Sequence, residues 1–150
     1  MAAPAAAAKP EGFFPEIDPL NLDKEWILHA SRVGKFASRQ VEAKNAHAVA
    51  KAELEATEAE LSEQVRANPE RYGVAPGKAP SEPRIASLVT LQPQFRTALE
   101  AELKAKSKVD RYAAIMSTLE HHKQTLTDLT YLWGQSYFAS KPKAAKGGGG

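Results

Sequence analysis

The chain of 150 residues contains no cysteine. This excludes disulfide frameworks, thiol catalysis and Cys-ligated zinc, and it fits a reducing cytoplasm. No apolar run approaches the roughly 18 residues that a membrane span needs, so a membrane is not an expected partner. There is no Gly-rich phosphate loop, no HExxH and no GxSxG; the four terminal glycines make a tail, not a phosphate cradle. No catalytic residue, cofactor or metal is implied, and the expectation is a protein that is not an enzyme. Large apolar residues are also scarce. Ile, Leu, Val and Phe together number 29, close to the level of disordered chains. Disorder also calls for charge of one sign, yet 20 basic residues face 18 acidic ones, for a net +2. What the chain does have is 27 alanines. Long helices with thin contacts fit this profile better than a thick core.

The punctuation divides the chain. Residues 1–20 carry Pro4, Pro10, Pro15 and Pro19, which excludes a stable helix and predicts an Ala/Pro-rich arm; it lacks the basic start and Leu/Val core of a signal peptide. From Leu22 to about Ala67 there is no proline, and Asn21, Asp23 and Glu25 suit a helix start. Trp26, Ala30, Val33, Ala37, Val41, Ala48, Leu54, Leu61 and Val65 recur at helical spacing. Residues 68–84 are dense in Pro and Gly and form a connector. Ser81 and Pro83 start a short helix, about 84–92, and Pro93 restarts the chain into a second long helix to about residue 139. Lys141, Lys143 and Lys146 lead into a basic, Gly-rich tail over 141–150.

The expected fold is therefore all-α: one domain, over 21–140, forming a long antiparallel, coiled-coil-like helical hairpin with a short connector helix. Setting Ala67 opposite Phe95 places Trp26 near Trp133 and Tyr137. It also sets the acidic run Glu53, Glu55, Glu58, Glu60 and Glu63 beside the basic run Lys104, Lys106, Lys108 and Arg111. One narrow seam cannot hold Trp26, Phe36, Phe95, Tyr112, Trp133, Tyr137 and Phe138 together. Hairpins should thus associate into a homo-oligomeric bundle or ring. Expected core or oligomer positions are Trp26, Val33, Leu54, Leu61, Leu119, Leu126, Trp133 and Tyr137. The alternative is a monomer in which the short helix closes a three-helix core.

Two features bear on function. His121 and His122 are adjacent, so their rings point about 100° apart and cannot chelate one metal. Solvated surface histidines are expected there, with His29 and His47 isolated. The second feature is charge. Between Arg32 and Lys51 five cations (Arg32, Lys35, Arg39, Lys44, Lys51) face one acid, Glu42. In the Ala67–Phe95 alignment the partner segment is neutral and leaves this strip uncompensated. Arg32, Lys35 and Arg39 share one helix face with Phe36 beside them. Phosphate neutralisation together with base stacking is the minimum for binding a single-stranded nucleic acid. Lys141 and Lys143 add to it. A solvated helix face is the competing reading, as is a coiled-coil scaffold that binds no nucleic acid.

The order of these parts resembles the UvsY-like phage recombination mediators. The residues that carry the resemblance are Leu22-Asp23-Lys24-Glu25-Trp26, the helix end from Lys51 to Leu61, Val65 to Pro69, Lys78 to Glu82, and Leu126 to Ala139. The resemblance covers roughly residues 20–140. It implies a small helical, ring-forming homo-oligomer in the host cytoplasm. Such a protein binds single-stranded DNA and loads a recombinase onto strands coated by single-strand-binding protein, without being an enzyme. In the family the basic residues for DNA lie toward the end of the first long helix. Here that stretch, Glu53 to Glu63, is acidic, so no residue inherits a DNA role by position. Arg32, Lys35, Arg39 and Lys44 are candidates on chemistry alone.

Overall fold

The computed structural model describes residues 16–136. The expected arm up to residue 15, Tyr137, Phe138 and the tail with Lys141 and Lys143 lie outside the described residues. Helix α1 runs Leu22–Ala67, a 3-10 turn spans Pro69–Tyr72, α2 runs Glu82–Thr90 and α3 runs Pro93–Gly134. No strand occurs among the described residues. The all-α hairpin is as the sequence predicts.

The ends of the helices differ in detail. The Asn21 carbonyl accepts the Glu25 N–H at 3.1 Å, but its side chain does not cap the helix; it donates to the Asp18 carboxylate at 2.6 Å. That bond, with the Leu20 N–H at 2.9 Å, holds Asp18 below the ordinary carboxylate value. Ser81 likewise starts α2 through its carbonyl, which accepts the Ile85 N–H at 2.9 Å, while its hydroxyl makes no cap bond. α2 begins two residues earlier than the expected 84. α3 stops at Gly134 and not near 139, where glycine is a poor helix former and Ser136 turns left-handed at φ 57°.

The chain divides into two compact units, each holding a stretch of both long helices. In the unit Gly34–Ser117, α2 folds back on the end of α1. Ile85, Leu88 and Val89 bury against Leu61 and Val65, with Tyr72, Val74 and Phe95 packed around them. The short helix therefore closes a local core of its own. Farther along, Ala43 and Ile115 are buried, Leu54 is half-buried, the Phe36 and Tyr112 rings lie 6.4 Å apart, and His47 meets Glu102 at 2.7 Å.

These contacts correct the expected register. Aligning Ala67 with Phe95 would set His47 against Ile115, but His47 meets Glu102. The reason is α2: it occupies the last turns of α1, so α3 engages α1 farther from the connector. The acidic run Glu53–Glu63 therefore does not lie beside the basic run Lys104–Arg111. By the Phe36–Tyr112 and His47–Glu102 contacts, that basic run faces the stretch of α1 that carries Arg39 and Lys44.

The second unit is Met1–Val33 with Thr118–Gly150, described over 16–33 and 118–136. Leu119 and Leu126 are fully buried there, with Glu25 and His29, and Val33 is half-buried. Trp26 reaches α3 one turn before Trp133. Its indole N–H donates to the Thr130 hydroxyl at 3.0 Å, and the Trp133 indole donates to the Pro19 carbonyl. The aromatic excess expected to drive oligomerisation is also smaller than supposed, since Trp26, Phe36, Phe95 and Tyr112 are all half-buried within the chain. Of that set Trp133 remains exposed, and the other large apolar residues exposed among the described ones include Ile27, Val41, Val49, Leu91, Leu103 and Tyr131. No helix among the described residues is long and apolar enough to cross a membrane.

Candidate nucleic-acid interface

The candidate cations sit on an unbroken helix, so their relative directions follow from about 100° per residue. Within the unit Gly34–Ser117, Lys35 and Arg39 lie one turn apart with Phe36 between them. The Lys35 Nζ is 5.9 Å from the Phe36 ring centroid and the Arg39 guanidinium carbon is 5.8 Å from it. Both distances are in the range of cation–π attraction. The ring is not exposed as expected: it is half-buried, tilted at 43° to Tyr112. One aromatic of the seam thus gathers two cations at its rim. Neither cation forms an ion pair within 4 Å among the described residues.

The remaining candidates separate. Lys44 is exposed but follows Lys35 by nine residues, which turns it to the opposite side of α1. It does not share the Lys35–Arg39 face. Arg32 belongs to the other unit, where it is half-buried and close enough to His29 and His122 to disfavour their protonation. It is less a solvated phosphate ligand than the sequence suggests.

The same neighbourhood holds a feature the sequence reading missed. His122 is not a solvated surface residue. It stacks on His29 with ring centroids 5.2 Å apart and 19° between planes, and the two Nδ1 atoms are 3.1 Å apart. Burial pushes both imidazoles below the ordinary histidine value. His121, its neighbour in sequence, is exposed. The signal lay in 3.6-residue spacing, which puts His122 three residues after Leu119 on the buried stripe. His47 is not isolated either, since it pairs with Glu102. Among the described residues no group of three or more His, Cys, Asp or Glu could hold a metal ion.

The acidic run behaves differently from the basic strip. Glu55 pairs with Lys51 at 3.9 Å, and Arg66 bridges Glu63 at 2.7 Å and Glu82 at 2.9 Å, the latter tying α1 to α2. These bonds hold the Arg66 guanidinium still more firmly protonated. No protein-family model, no curated protein and no solved structure matches the chain.

Proposed function

We propose that this chain is a non-enzymatic, single-stranded DNA-binding recombination mediator that helps load a phage recombinase. The observation that carries the reading is the Lys35–Phe36–Arg39 cluster, two cations gathered on one aromatic ring and forming no ion pair within 4 Å among the described residues. Exposed cations that no acid compensates retain the full free energy of releasing phosphate counterions. The part of the half-buried Phe36 ring that stays exposed lies beside these cations, where a base can stack. The resemblance in chain organisation to UvsY-like mediators adds the recombinase and the single-strand-binding protein as partners. The exposed Ile27, Val41 and Val49 add self-association.

The test is binding of a labelled single-stranded oligonucleotide across a salt series, with mass measured with and without DNA. Affinity should fall steeply as salt rises, and Lys35→Glu with Arg39→Glu should abolish it. Unchanged binding by that variant would sink the site. The second reading is a coiled-coil scaffold that binds no nucleic acid. The same exposed apolar residues favour it, and a stable oligomer that ignores DNA at low salt would establish it.

A further inference from the structure

We infer that the single strand is held between two banks of cations: Lys35 and Arg39 on α1, and Lys104, Lys108 and Arg111 on α3. The inference rests on the reading of this chain as a binder of single-stranded DNA, and it adds a second helix to the site.

The argument is one of register and handedness inside the unit Gly34–Ser117. Phe36 and His47, about 20° apart, mark the direction in which α1 faces α3; on α3, Glu102 lies about 80° to one side of Tyr112 and the buried Ile115 about 60° to the other, so Tyr112 stands near the middle of the return direction. Measured at about 100° per residue from Phe36, Lys35 and Arg39 fall on the side counter to the helix sense, and Lys44 falls on the other. From Tyr112, Lys104, Lys108 and Arg111 also fall counter to the helix sense, and Lys106 falls on the other side. α3 runs antiparallel to α1. Reversing one helix reverses its sense of rotation as seen down the seam, so equal offsets land on the same side. Lys35, Arg39, Lys104, Lys108 and Arg111 therefore flank one edge of the seam, with Arg39 and Lys108 at corresponding positions on the two helices.

Like charges in that arrangement repel. The acids on the same side, Glu42 and Glu100, sit at its outer margin. None of these seven residues forms an ion pair within 4 Å among the described residues. All five cations are exposed. Two cationic rows side by side, five cations against two acids, are a cradle for a polyanion. The half-buried Phe36 and Tyr112 rings lie along the floor between them, which fits unstacked bases and so a single strand.

The experiment compares four full-length proteins in oligothymidylate binding against salt: the parent, Lys35→Gln with Arg39→Gln, Lys104→Gln with Lys108→Gln and Arg111→Gln, and Lys106→Gln alone. All the altered side chains are exposed, and circular dichroism checks that each protein is helical. Each phosphate contact on a single strand contributes about 0.7 to the slope of log affinity on log salt. The triple α3 variant should thus flatten the slope by about two, while Lys106→Gln leaves it nearly unchanged. If the parent binds and only the α1 variant weakens it, the second bank is wrong and the α1 site stands. If Lys106→Gln costs as much as any one of the three, the one-sided cradle is wrong. If the parent does not bind at low salt, the functional reading itself falls.

Discussion

His29 and His122 share a hydrogen bond between their Nδ1 atoms at 3.1 Å, so one ring donates and the other must present a lone pair. A second proton on the pair removes the acceptor and sets two positive rings in contact. The charged groups around them oppose one another: Glu120 and Glu25 favour protonation, and Arg32 and Lys123 disfavour it. Burial is the largest influence on both, and both sit below 6.5. The unfolded chain therefore binds protons first as pH falls. Stability contributed by the neutral pair is complete above 6.5 and is lost as pH drops below it toward the depressed folded values. Melting temperature should fall across that window, and His122→Leu should flatten the dependence. A parent whose melting is flat across it would refute the role of the pair.

The register is open to a direct check because the chain has no cysteine. His47→Cys with Glu102→Cys should cross-link within one chain through a short bis-maleimide, since the two side chains meet at 2.7 Å. His47→Cys with Ile115→Cys, the pair that the Ala67–Phe95 alignment brings together, should not. Electrophoretic mobility under denaturing conditions separates the outcomes.

Two glycines should respond to alanine in opposite directions. Gly73 sits at φ 82° and its N–H closes the 3-10 turn onto the Glu70 carbonyl at 3.1 Å. A Cβ there meets nothing within 4 Å, so the cost of Gly73→Ala is conformational, about 1 kcal/mol. Gly34 lies inside α1, also with open space for a Cβ, and Gly34→Ala should stabilise by up to about 1 kcal/mol. Denaturant titration measures both.

Leu126 is wholly buried, and Leu103 is 54% exposed. Leu126→Ala should destabilise by about 2–5 kcal/mol, through lost transfer energy and a cavity. Leu103→Ala should stay within about 0.5 kcal/mol. Equal effects would mean that Leu103 is covered in solution by another copy of the chain.

Much of the fold was legible in the residues. Proline-free stretches and three-to-four spacing predict both long helices, because local hydrogen bonding and one apolar stripe suffice for a helix. Pro83 and Pro93 mark where α2 begins and where α3 restarts for the same local reason. Lys35, Phe36 and Arg39 share a face by arithmetic alone.

What the chain's own residues could not decide is which turn of α3 meets which turn of α1. An Ala-rich seam has few large side chains to favour one offset, and opposite charges at several offsets look equally suitable. The choice is made by Ile85, Leu88 and Val89, which bury against Leu61 and Val65 and take the place that α3 would otherwise fill. That packing separates the acidic run from the basic run and brings Lys104, Lys108 and Arg111 opposite Lys35 and Arg39. Helices and their charged faces follow from local sequence. The side-by-side placement of two like-charged faces is a tertiary fact, fixed by where the buried volume is best filled.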